Sequence, residues 1–170
     1  MSDKNKIVVI DDDQGLCLMV KATLEATGEY EVATTSNPLE AEQVISQATP
    51  DIILLDIVMP QRKGIDIIAA IKKNAAFQKI PIIVISGKGE MIYDTKKHEF
   101  KWTPNNPAVK DRGTLPDAKG AEALAAAYGV NDYISKPFTN QILMEVLKEL
   151  IAKLQKKKAA DEERAAGEPL

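Results

Sequence analysis

Cysteine, histidine and tryptophan each occur once in the 170 residues, as Cys17, His98 and Trp102. A single cysteine excludes an internal disulfide and any cysteine-built zinc cluster. Long apolar runs are lacking too. None approaches the roughly 18 residues that a membrane span needs. Met1-Ser2-Asp3-Lys4-Asn5-Lys6 leads into only four apolar residues, so neither a signal peptide nor a membrane anchor is expected. The expected compartment is the cytoplasm. A global basic field is also absent: 22 Lys and Arg face 25 Asp and Glu, a net charge of −3, so nothing general draws the chain to nucleic acid. What is present is a globular composition. Apolar residues make up 45% and charged residues 28%, enough for one core and a solvated surface in one domain.

The charge is uneven. Residues 1–60 carry 3 basic and 11 acidic side chains, whereas residues 61–170 carry 19 and 14. Three short apolar runs punctuate the chain: Ile7–Ile10, Ile52–Leu55 and Ile82–Ile85. They do not alternate, they are mostly β-branched, and Asp, Pro or Gly bounds them, as in parallel strands buried on both faces. Tyr30–Ala33 and Asp132–Ile134 are weaker strand candidates.

Helical patterns fill the gaps. Leu16, Met19, Val20 and Leu24 share one face, with Gly28 as a stop. Asn37-Pro38-Leu39-Glu40 reads as an N-cap, an N1 proline and a capping-box acid before Ala41, Val44, Ile45 and Ala48. Ile65–Lys73 and Glu122–Tyr128 are shorter helices, and Leu143, Val146, Leu147, Leu150 and Leu154 stripe the last one. A β-α unit repeated five times predicts a doubly wound α/β fold. The five-stranded parallel sheet carries helices on both faces, and ligands bind at the carboxyl ends of its strands.

Residues 87–119 break this rhythm. They hold Gly, Pro, Asn and charges without a sustained apolar period, and they include His98 and Trp102. They are expected to form a long loop, either functional or without fixed structure. Lys153–Leu170 reads as a charged tail continuing the last helix beyond a domain spanning 1–152.

Function should lie directly after the strands. Asp11-Asp12-Asp13 follows the first, Asp56 the third, Ser86 the fourth and Lys136 the fifth. Crowded carboxylates stay ionised only beside a cation, and an all-oxygen set favours Mg²⁺ or a similar hard ion. A lysine and a hydroxyl facing the same point suit a phosphoryl group.

The whole pattern resembles the response-regulator receiver domain of two-component signalling, in its stand-alone form. The resemblance rests on Asp11-Asp12 after Ile7–Ile10, on Leu54-Leu55-Asp56-Ile57-Val58-Met59-Pro60 with Gly64, on Ile82–Ser86, and on Asp132-Tyr133-Ile134-Ser135-Lys136-Pro137-Phe138. It covers roughly residues 5–86 and 120–152. It implies a flavodoxin-like sheet of order 2-1-3-4-5. It implies that Asp56 accepts a phosphoryl group from a phosphohistidine on a histidine kinase or phosphotransfer protein. Asp12 and Asp56 would hold Mg²⁺ with the Val58 carbonyl, and Asp11 would act through metal-bound water. Lys136 would pair with phosphoryl oxygens and Ser86 would hydrogen-bond one of them. Tyr133 would turn inward behind Ser86, presenting a new surface to a downstream protein target.

Two features depart from the family pattern. Ser86 and Lys136 lie fifty positions apart, against a little over twenty in most receivers, so about 28 residues are inserted. Val58 and Lys88 occupy positions that influence hydrolysis of the aspartyl phosphate. An apolar Val58 cannot orient a water, so slow self-dephosphorylation is expected.

Other readings of the same residues exist. Asp13 reads as a simple N-cap, Tyr133 as core and Cys17 as packing. A haloacid-dehalogenase-type phosphatase would use Asp11 as nucleophile, Asp13 as acid/base, and Ser86 and Lys136 as its later motifs. It leaves Asp56–Pro60 unexplained. A phosphate-independent interaction module is the third reading. Thirty-four residues follow Lys136, most of them spent on the last helix, so no DNA-binding domain is expected among them and output should be through protein contacts.

Overall fold

The computed structural model describes residues 4–86, 89–94, 99–104 and 128–167; for Ser86 and for 89–94 and 99–104 only the backbone is described. The elements run β1 (Asn5–Ile10), α1 (Gln14–Glu25), β2 (Tyr30–Thr35), a 3-10 turn (Pro38–Glu40), α2 (Ala41–Ala48), β3 (Ile52–Asp56), α3 (Gly64–Lys73) and β4 (Ile82–Ser86). A hairpin of β5 (Gly89–Asp94) and β6 (Glu99–Pro104) follows, then β7 (Asp132–Ser135) and α4 (Asn140–Gly167).

The main sheet has the order β2-β1-β3-β4-β7 with every pairing parallel. With β7 as the fifth strand, this is the expected 2-1-3-4-5 arrangement. The apolar strands serve two cores because successive side chains point to opposite faces. Ile7, Val9, Leu54 and Ile85 pack with Cys17, Val20 and Leu24 of α1 and with Leu143, Val146, Leu147 and Leu150 of α4. Val8, Ile10, Leu55 and Val84 pack on the other face with Ala41 and Ile45 of α2 and Ile67, Ile68 and Ile71 of α3. Nearly every one of these strand residues is fully buried, which stabilises the fold by about 1.5–3 kcal/mol for each large aliphatic side chain.

Several local expectations shift. Strand β2 continues to Thr35, two residues past Ala33. Asn37 caps as expected, its side chain accepting from the Leu39 amide at 3.1 Å. The capping box does not close, however. The Asn37 amide donates instead to the buried Thr35 hydroxyl at 3.1 Å, and Glu40 Oε2 lies 3.3 Å from that hydroxyl. The end of β2 supplies a nearer acceptor than Glu40, and the first turn is 3-10 rather than α.

Within 87–119, expected as a long loop, residues 89–94 and 99–104 instead form the β5–β6 hairpin, in which Met91 pairs with Trp102 and Tyr93 with Phe100; the rest of that segment lies outside the described residues. The hairpin is its own two-stranded sheet. Its short alternation of β-favouring residues leaves no mark on a search for buried runs or helical periods. Lys88, His98 and the helix expected over Glu122–Tyr128, apart from Tyr128, lie outside the described residues. Helix α4 is continuous through 152 and 153, and its side chains are exposed from Gln155 to Gly167. No helix among the described residues is long and apolar enough to cross a membrane.

Candidate functional site

Strand register builds the site. Ile10 pairs with Leu55, so Asp11 and Asp56 emerge side by side from β1 and β3. Asp56 pairs with Ile85, and Ser86 with Ser135, the residue before Lys136. Four strands thus deliver their terminal residues to one edge of the sheet.

The two buried carboxylates are held alike. Asp11 Oδ1 accepts from the Asp13 amide at 2.9 Å, and Asp56 Oδ1 accepts from the Val58 amide at 3.1 Å. Each is a short Asx-type turn that fixes the rotamer and leaves the second oxygen for the centre. Lys136 Nζ fills that centre, 2.5 Å from Asp11 Oδ2 and 3.2 Å from Asp56 Oδ2. Although the ammonium is close, Asp11 Oδ2 receives no directed hydrogen bond. Asp12 is exposed beside them, and one oxygen from each of Asp11, Asp12 and Asp56 lies within 4.8 Å of the others.

The electrostatics follow from this crowding. Burial pushes the Asp56 carboxyl up to about 6, with Asp11 adding to the rise and Lys136 opposing it. Burial pulls the Lys136 ammonium down, but its contacts with Asp11 and Asp56 outweigh this and hold it above its ordinary value. One ammonium cannot neutralise three carboxylates. The site is therefore short of positive charge, and its all-oxygen donor set fits a hard divalent cation.

The remaining predicted residues are placed around this centre. Val58 is 48% exposed, with its amide on Asp56. The backbone of Ser86 ends β4 at the same edge. Tyr133 is buried in the second core with Val84, Ile71 and Val130. Asp13 caps α1, accepting from the Leu16 amide at 3.0 Å. Cys17 lies beneath the site, its Sγ 3.3 Å from the Asp11 carbonyl. Burial and then Asp11 push its thiol up to about 11, so it is a packing group.

Two supports escape a reading of the sequence alone. Gly64 sits directly on the end of β3: a Cβ there would lie 2.1 Å from the Asp56 carbonyl oxygen, while its amide donates to the Ile57 carbonyl at 2.8 Å. Glycine in the motif was visible, but not the close approach that requires it. Arg62 makes a two-pronged contact with Glu42 of α2, both bonds 2.6 Å. Twenty residues separate the pair, and no spacing rule joins them.

Known proteins share this fold and much of the sequence pattern. A sequence profile of the response regulator receiver domain matches residues 7–100, from β1 into the hairpin. Chemotaxis protein CheY1 of Helicobacter pylori is 28% identical over 143 residues, covering 84% of this chain and 93% of that protein. Protein PilG of Pseudomonas aeruginosa is 29% identical over 147 residues, covering 86% and 87%. Among solved structures, a CheY-like receiver domain protein from Methanospirillum hungatei superposes with a TM-score of 0.64 at 20% identity, over 91% of this chain and 99% of that one. At that identity the superposition speaks for the fold. The range that the profile matches includes the acidic pair and the Asp56 strand, and the parallel β4–β7 pairing brings Lys136 to them. The chain belongs to the response regulator receiver domain family, the phospho-accepting module of two-component signalling.

Proposed function

We propose that Asp56 is the phosphoacceptor and that Asp12 and Asp56, with the backbone carbonyl of Val58, hold Mg²⁺. The observation that carries this reading is the convergence of three carboxylates and Lys136 on one point at the sheet edge. In the proposed reaction an Asp56 carboxylate oxygen attacks the phosphorus of a phosphohistidine. The P–N bond breaks, its electron pair returns to the imidazole, and an acyl phosphate forms. Asp56 must be ionised to attack, and Lys136 favours that form. The Asx turn at Val58 aims the carboxylate. Bound Mg²⁺ would supply charge neutralisation for the phosphoryl oxygens, which is most of what such transfers require. Lys136 and the Ser86 hydroxyl are assigned to the transferred group, and Tyr133 to the rearrangement that follows.

The donor is a sensor histidine kinase or a histidine phosphotransfer protein. A shallow hollow lined by Asp13, Leu16, Met19, Lys136, Pro137 and Phe138 opens beside the acids; its apolar rim suits a protein donor better than a free metabolite. Output is assigned to a protein target that binds the receiver once Asp56 carries the phosphoryl group. The phosphatase reading fares worse, because Asp13, its acid/base, is committed to capping α1.

Intact mass after incubation with Mg²⁺ and a small phosphodonor tests this. The wild type should gain one phosphoryl group and Asp56→Asn none. Label that persists without Asp56 but needs Asp11, tested with Asp11→Asn, would establish the phosphatase chemistry instead.

A further inference from the structure

The loop 57–63 carries Val58 and its carbonyl between β3 and α3. Its ends are fastened, at the start by the Val58 amide on Asp56 Oδ1 and at the end by the Gly64 amide on the Ile57 carbonyl. Met59 is buried beneath it. Its middle, however, is exposed and bends through Gln61 at φ +68, a left-handed conformation that costs a non-glycine residue free energy. Arg62 ties that middle to a neighbouring element. Its guanidinium meets both Glu42 oxygens at 2.6 Å, with the two side chains only 22% and 36% exposed. The fork-to-fork geometry is the directional kind of ion pair, unlike a single contact between solvated charges.

We propose that Glu42, acting through Arg62, is a positioning residue that holds loop 57–63 in the conformation that presents the Val58 carbonyl to the divalent cation. This rests on the metal-dependent receiver reading above. Glu42 touches neither metal nor phosphoryl group. Its effect is on the preorganisation of a ligand, as outer-shell partners of metal sites act.

The test uses the full chain with Glu42→Gln, Arg62→Met and the double variant. Amide exchange of Val58 and Gly64 is followed by NMR in metal-free protein, and Mg²⁺ affinity by calorimetry. Each single variant should speed exchange at both amides and weaken Mg²⁺ binding about tenfold. The double variant should lose no more than either single one, because both remove the same contact. At saturating Mg²⁺ all three should take the phosphoryl group within about twofold of wild type, since Asp56 and Lys136 are untouched. Unchanged exchange and Mg²⁺ affinity in the single variants would overturn the proposal, as would additive losses in the double variant. A wild type that binds no Mg²⁺ and takes no label on Asp56 would overturn the proposed metal-dependent phosphoacceptor function, and this proposal with it.

Discussion

Gly64 leaves no room for a methyl group against the backbone of Asp56. The obstruction is the main chain of Asp56 and Ile57, so no side-chain rotation relieves it. Gly64→Ala is expected to destabilise the protein by about 3 kcal/mol and to lower phosphoryl uptake, because the strain falls on Asp56, the proposed acceptor; thermal melting and intact mass check both effects. Val58 carries a second prediction. Its exposed apolar side chain stands beside Asp56 without a hydrogen-bonding group, so a water near an Asp56 phosphoryl group finds no orienting partner there. Val58→Asn is expected to shorten the lifetime of the phospho-form about tenfold, followed by mass after the donor is removed. A wild-type phospho-form lasting only seconds would contradict the premise. The acids and Lys136 were legible in the sequence because each ends a strand, and parallel strands share an edge. The Glu42–Arg62 pair was not, because it depends on how the β3–α3 loop folds back on α2.

At the scale of elements, the buried strands were legible from their unbroken β-branched runs, and the amphipathic helices from their stripes. The β5–β6 hairpin was not. Its strands pair with each other rather than with the main sheet, so they carry none of the continuous apolar character that marks a central strand. Helix α4 shows the converse. Its stripe ends near Leu154, yet the backbone stays helical to Gly167. The extension is rich in Ala and Lys, good helix formers that need no partner to continue an existing helix. Stability should therefore split along α4. Truncation after Gln155 is expected to cost under about 1 kcal/mol, whereas Leu150→Ala, in the core against α1 and β7, should cost about 2–4 kcal/mol. Denaturant midpoints of the two variants check the contrast.

For the whole molecule, the site is a source of instability while no cation is bound. The Asp56 carboxyl sits near 6 in the folded chain against an ordinary 3.8, chiefly because it is buried. Between those two values the folded state keeps a proton that the unfolded state has released. Stability from this group is therefore greatest below pH 4, falls as pH rises to about 6, and is level above. The loss amounts to about 3 kcal/mol at most. Groups held below their ordinary values, such as Glu42 beside Arg62, act in the opposite direction, so the contribution is isolated by comparing wild type with Asp56→Asn. In metal-free buffer the variant should be the more stable protein at pH 7, by about 1–3 kcal/mol, and the difference should vanish near pH 4. Mg²⁺ should close the gap at pH 7 by stabilising wild type in proportion to its occupancy. Its affinity should decline as pH drops through 6, where protons compete for Asp56. Urea titrations at several pH values, with and without Mg²⁺, measure all of this. A metal-free Asp56→Asn less stable than wild type at pH 7 would mean that the Lys136–Asp56 contact outweighs the burial of charge, and that the folded site is balanced before any cation arrives.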